Sequence, residues 1–286
     1  MMKPRSITRL CLLFLLLALA PALASASQQG RPATINGADV IRGSAIEGGL
    51  IIARTMPGSR VEINDTAVPV SATGLFLVGF HHQSDTPQRI QITNADGARH
   101  STILTAVQRE YDIQRIDGLE PKMVTPPEDV IKRIKRDSTA VREARTRIAS
   151  LGDFVDGFNW PVRGQISGIF GSQRILNGRA RAPHYGIDIA APKGTAVLAP
   201  ASGRVTLVMD LYYSGWTILV AHGLGLNSSF LHLDQVAVST GEQVKRGALL
   251  GWVGSSGRST GPHLDWRLDW QGRRLDAALI AGPMPQ

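Results

Sequence analysis

Three histidine-bearing segments in the glycine-rich C-terminal half hold the residues best suited to chemistry: His184-Tyr185-Gly186-Ile187-Asp188, Phe230-Leu231-His232-Leu233 and Gly261-Pro262-His263-Leu264-Asp265-Trp266. On an extended strand, side chains two or four residues apart share a face. The spacing therefore lets His184 converge with Asp188, and His263 with Asp265, while His232 adds a fifth polar group to the same sheet. Imidazoles and carboxylates can hold a metal ion, and a histidine beside that ion can carry protons. The only cysteine, Cys11, sits near the N-terminus inside an apolar run. Once that run is removed, thiolate zinc sites, disulfides and thiolate nucleophiles are all excluded, and imidazole and carboxylate remain as the ligands on offer.

The N-terminus reads as a secretory leader over residues 1–26. Lys3, Arg5 and Arg9 precede an apolar stretch from Leu10 to Leu19, and small residues follow at Ala22, Ala24 and Ala26. The stretch falls short of the ~20 apolar residues of a membrane span. The expectation is an exported chain with no membrane span after removal of the leader. Losing the three basic residues takes the formal charge from +8 to +5. Such a surface suits an anionic wall polymer, and no nucleic-acid-binding motif accompanies it.

These site residues need a scaffold, and about 260 mature residues suggest one or two domains. Residues 27–120 read as a small β-sandwich. Its short strands are separated by turns at Met56-Pro57-Gly58, Asn64-Asp65 and Asn94-Ala95-Asp96-Gly97. Residues 121–157 read as a linker with one amphipathic helix. Thr125-Pro126-Pro127-Glu128 has the form of a capped helix start, and Ile134, Val141 and Ile148 recur every seven residues, with Val130 and Ala144 at helical offsets. Its other face is basic and reads as solvated. Residues 158–286 read as an antiparallel β-sheet domain whose long loops carry the site. The fold class is thus mainly β.

Spacing alone is weak evidence for a site. The ordered set Phe170-Gly171, His184-x-Gly186-x-Asp188, Ala199-Pro200-Ala201-Ser202-Gly203, His222-Gly223, His232-Leu233 and Ser259-Thr260-Gly261-Pro262-His263 is much more specific. Residues from about Phe158 to Asp276 resemble the lysostaphin-type (LytM-like) zinc metallopeptidases, bacterial endopeptidases that cut the peptide part of peptidoglycan. The stretch Tyr111–Leu119 is similar to the region preceding the catalytic domain in proteobacterial members. The resemblance implies a periplasmic or secreted hydrolase holding one zinc ion, with peptidoglycan as substrate and other cell-wall hydrolases or envelope proteins as further partners.

By the same resemblance His184 and Asp188 are the first two zinc ligands, His232 is a catalytic histidine, and His263 is the catalytic member of the family's closing His-x-His. This chain reads His263-Leu264-Asp265, so the third ligand position holds a carboxylate. Asp reaches zinc at about the same distance as imidazole, and the less positive site it creates also admits a harder ion such as manganese. The resemblance implies that one of His263 and His232 is the general base and that the other steadies the oxyanion or the leaving amine.

Blander readings stand beside these. Asp265 is placed to pair with Arg267, His184 with Asp188 can form a hydrogen-bonded pair, and His232 and His263 can be satisfied strand histidines. His222 reads as structural, Trp266 and Trp270 as core, and His81, His82 and His100 as turn residues without catalytic roles. Two rival functions follow. One is a catalytically impaired member of the fold that binds the wall or activates another hydrolase. The other is a lipoyl-like carrier, from Gly241–Leu250, which an exported chain with this constellation disfavours.

Overall fold

The computed structural model describes residues 33–147, 149 and 153–285. The leader, Cys11 and Ile148 lie outside the described residues. No helix among those described is long and apolar enough to cross a membrane.

The N-terminal portion is built from two antiparallel sheets. One joins Ala38–Arg42, Leu50–Thr55 and Leu75–Gly79. The other has the order Thr66–Val68, Arg60–Ile63, Gln88–Thr93, Arg99–Leu104. Asn64 and Asp65 both have positive φ, 49° and 62°, which makes the two-residue turn whose twist matches a hairpin. Gln88–Thr93 alternates buried and open residues, as a half-covered strand should. Leu75–Gly79 is buried throughout. A Cβ added at Gly79 would meet the Trp270 ring at 2.8 Å, so this strand lies against the C-terminal domain on its other face. One continuous apolar core runs from Ile51, Phe76 and Val78 through Phe170 to Trp266 and Leu275.

The C-terminal portion is a ten-stranded antiparallel sheet with the path Gln243–Val244, Gly203–Leu211, Gly215–Gly223, Leu226–Val236, His263–Trp270, Ile187–Ala190, Gln165–Gly168. Trp266 and Trp270 are fully buried in its core. The strand Ile113–Ile116 pairs in parallel with Gln173–Leu176 and so belongs to the flank of this domain.

The helix forms over Glu128–Arg145, but its start differs from the sequence expectation. Thr125 does not cap it; the cap position is Pro127, with no side-chain hydrogen bond. A residue before proline is driven out of the helical region, and Thr125 is accordingly extended, with φ -129° and ψ 92°. Thr125 Oγ1 instead accepts a hydrogen bond from Arg179. The helix lies along the strands Gly203–Leu211 and Gly215–Gly223. Its docked stripe includes Asp137, which is buried beside Ala144. Asp137 accepts the backbone N–H of Tyr212 at 2.8 Å and pairs with Arg136, so the charge is compensated.

Candidate metal centre

Asp188 and Asp265 lie directly opposite each other on the paired strands Ile187–Ala190 and His263–Trp270. His263 and Asp265 share a strand face, as the spacing predicts. His184 does not lie on the strand with Asp188. It projects from the loop before Ile187, where its backbone N–H is bonded to Ser172 O and its carbonyl to Gly171 N. Two glycines allow this crowding: a Cβ on Gly186 would collide with Asp265 Oδ1, and one on Gly168 with Asp188 Oδ2. The glycine of His-x-Gly-x-Asp is therefore a matter of space, not of backbone angle.

All five sequence-predicted residues converge. One donor atom from each of His184, Asp188 and Asp265 lies within 4.8 Å of the others, and all three residues are buried. His184 Nε2 lies 3.1 Å from Asp188 Oδ1, and His263 Nε2 lies 3.8 Å from the same oxygen. The His232 and His263 rings are 4.8 Å apart. Neither ring nitrogen of His184 has a hydrogen-bond partner, and neither does Asp188 Oδ1. Buried polar atoms left unpartnered are costly, and a cation between them removes the cost. The donor set therefore fits a zinc-type ion at His184, Asp188 and Asp265.

His232 sits at a break in register against the strand Gly215–Gly223, with φ 64°, a conformation rare for a non-glycine residue. Its backbone N–H is held by Ser214 O at 2.8 Å, and Nδ1 is bonded to Ser256 O at 2.7 Å. His263 Nδ1 is bonded to Gly261 O at 2.8 Å. A carbonyl can only accept, so both rings carry their proton on Nδ1 and leave the Nε2 lone pair toward the cluster. Burial pushes the pKa of His232 down to about 4, against the opposing pull of Asp265, and keeps the ring neutral at neutral pH.

Two arginines occupy the carboxylates. Arg174 donates to Asp188 Oδ2 at 2.5 Å. Arg267 grips Asp265 with Nε at 3.0 and 3.1 Å from its two oxygens and an amino nitrogen at 2.6 Å. Burial would push the Asp265 carboxyl up, but Arg267 and His184 hold it well below the usual carboxylate range. In Asp188 burial also pushes up, and His184 and Arg174 outweigh it. Arg267 was visible in the sequence as a possible partner two residues on. Arg174 was not, because only the tertiary fold brings it to the site. His222 is fully buried and bonded to Ser202 O and Ser228 Oγ, whereas His100, expected in a turn, lies in the strand Arg99–Leu104 opposite Ile92. His81 and His82 join the two domains, His81 accepting from Arg274 N and His82 lying 3.2 Å from Gly171 O.

Buried imidazole and carboxylate donors on a β-sheet, with two further histidines beside them, make an arrangement of the kind a metallopeptidase centre uses. Residues 182–277 match peptidase family M23, and the chain accordingly carries an M23 domain over that stretch. Peptidoglycan DD-endopeptidase ShyA of Vibrio cholerae is 36% identical over 121 residues, covering 42% of this chain and 28% of that protein. DD-carboxypeptidase/endopeptidase Mpg of Neisseria meningitidis is 37% identical over 103 residues, covering 36% of this chain and 24% of the relative. The chain thus spans about a quarter of the length of these curated relatives. A crystal structure of a Pseudomonas aeruginosa protein assigned to peptidase M23 superposes with a TM-score of 0.61 at 28% identity, covering 84% of this chain and 96% of that one.

Proposed function

We propose that the protein is an exported, zinc-dependent endopeptidase that hydrolyses peptide bonds of peptidoglycan. The observation that carries this reading is the buried His184, Asp188 and Asp265 set, in which both His184 ring nitrogens and Asp188 Oδ1 lack hydrogen-bond partners, beside His232 and His263. The names of the relatives support peptidoglycan as the substrate. The catalytic unit is residues 158–286, flanked by the strand Ile113–Ile116; the rest of the β unit of residues 27–120 positions it, and the linker of residues 121–157 carries the helix that covers one sheet face. The leader and the relatives favour the periplasm.

His184 Nε2, Asp188 and Asp265 would hold the ion, which when bound supplies Lewis acidity toward a carbonyl oxygen and makes a water acidic. His263, the more open of the two histidines, takes the proton of the attacking water at Nε2. His232, neutral and rigidly held, donates to the developing oxyanion or the leaving amine once a proton has reached its Nε2. The bonds from both Nδ1 atoms to backbone carbonyls keep the tautomer fixed through the cycle.

The test is digestion of purified sacculi by the folded chain with zinc, with manganese or with chelator, reading released fragments by mass spectrometry. Metal-dependent release of peptide-cleaved fragments is expected. No release from folded protein shown to be metal-loaded would overturn the reading in favour of a wall-binding or activating role.

A further inference from the structure

Next to the metal centre lies a second cavity, of about 350 Å³, which falls within the range of small-ligand sites. Its floor is the sheet face that carries Thr217, Leu219, Ser229 and Leu231, and its roof is the helix Glu128–Arg145. His232 and Arg267 line it at the end that meets the catalytic cluster. Five arginines surround it: Arg145, Arg174, Arg258, Arg267 and Arg274. The single lining acid, Asp137, is already taken by Arg136 and by Tyr212 N.

The arginines are only partly compensated. Arg174 and Arg267 are held by Asp188 and Asp265. Arg145 and Arg274 share Asp269 at 3.9 and 3.4 Å, and neither Asp269 oxygen accepts a hydrogen bond. Arg258 has no carboxylate partner among the described residues; it donates to Met123 O and lies 4.6 Å over the Tyr213 ring. Positive charge therefore exceeds negative charge around the cavity. Three buried polar atoms there lack partners: Ser229 Oγ, Arg145 Nε and an amino nitrogen of Arg274. Ser229 is 2% exposed, so water does not satisfy its hydroxyl freely. Crowded guanidinium groups and an orphaned hydroxyl are what an anion-binding pocket needs, and Arg recognises carboxylates by paired N–H bonds.

The apolar share of the wall, from Val141, Leu211, Leu219 and Leu231, matches an aliphatic stem that ends in that carboxylate. We propose that this cavity is a specificity pocket for a free carboxylate on an aliphatic residue of the peptide substrate, close to the bond presented to His232. The proposal rests on the peptidase reading and names the chemistry of the substrate that site would accept. Arg258 and Ser229 provide the recognition. Arg145 and Arg274, loosely tied to Asp269, turn toward the ligand when it enters.

The experiment measures binding in chelator, where no turnover occurs, by calorimetry with the full folded chain. The probes are a stem tetrapeptide released from sacculi, the same peptide with its carboxylates amidated, and inorganic phosphate. The free acid is expected to bind at least tenfold more tightly than the amide. Arg258→Gln and Ser229→Ala should each shrink that ratio to within about twofold. Phosphate should fail to displace the free acid at equal concentration. Equal binding of acid and amide by the unaltered protein would overturn the proposal without any variant. So would displacement by phosphate at equal concentration, which marks a general anion patch, and so would a retained ratio in both folded variants. A retained preference for the acid in a protein that never digests sacculi would sink the catalytic reading alone.

Discussion

Replacing Arg267 with glutamine tests how the carboxylate in the third ligand position works. Both Asp265 oxygens are engaged by the Arg267 guanidinium, so a metal ion can use Asp265 fully only if the guanidinium gives it up. Asp265 is completely buried, while about a quarter of the Arg267 side chain is open to solvent, which gives the guanidinium somewhere to go. Removing one partner of a buried ion pair costs about 3–5 kcal/mol, and the partial exposure of Arg267 argues for the lower end, about 3 kcal/mol. The metal-free variant should therefore melt roughly 6–12 °C lower, at 2–4 °C per kcal/mol for a domain of this size. The same ~3 kcal/mol no longer opposes the ion, so zinc affinity should rise by about 100-fold, at 1.4 kcal/mol per decade. Zinc titration against a competing chromophoric chelator reads the affinity, and melts with chelator or zinc read the stability. An unchanged or weaker affinity in a folded variant would refute the competition argument and make Arg267 an orienting group for Asp265. Zinc uptake by neither protein would refute the metal reading itself.

Other outcomes follow from the same contacts. Asp265→His restores the family motif but leaves the Arg267 guanidinium beside the site without its carboxylate, so alone it should lower zinc affinity; combined with Arg267→Gln it should exceed the unaltered protein, and additive effects in a double-mutant cycle would contradict the coupling. Burial lowers the pKa of His222 to about 4, below its unfolded value near 6.5. Below pH 6.5 the unfolded state therefore binds the proton first, and stability that is full above pH 6.5 falls as pH drops toward 4. The His222 share of this loss is about 3 kcal/mol. Denaturant melts from pH 7 to 4 should show that loss, and His222→Gln should flatten the curve. Asp137→Ala should cost about 2–4 kcal/mol because it leaves the Tyr212 N–H and Arg136 without their acceptor. Asp137→Asn, which keeps an acceptor for Tyr212, should cost less, as chemical denaturation would show.

The sequence by itself determined the β class, the helix that begins near Glu128 and all five residues of the candidate centre. The first two follow from local periods, alternation along Gln88–Thr93 and apolar residues at helical offsets from Val130 to Ala144, whereas the five site residues were picked out by the ordered motifs and their resemblance to a family, with strand spacing helping only for His263 and Asp265. The turn at Asn64-Asp65 was legible for the same reason, since two residues that tolerate positive φ stand between alternating runs. Where local rules compete, the reading erred. The Thr125 capping pattern lost to the prolines behind it, and His184 proved to reach Asp188 from a loop.

Only the tertiary structure decided which charges meet. Asp188 receives Arg174 from a strand 14 residues earlier, and the helix lays Arg145 over a sheet whose Arg267 and Arg274 come from more than a hundred residues later in the chain. Spacing carries no signal for such encounters, because they depend on strand order and on how the helix docks. The sequence thus names the residues able to hold an ion, while the fold sets the competing cations around them and the charge that any ligand must bring.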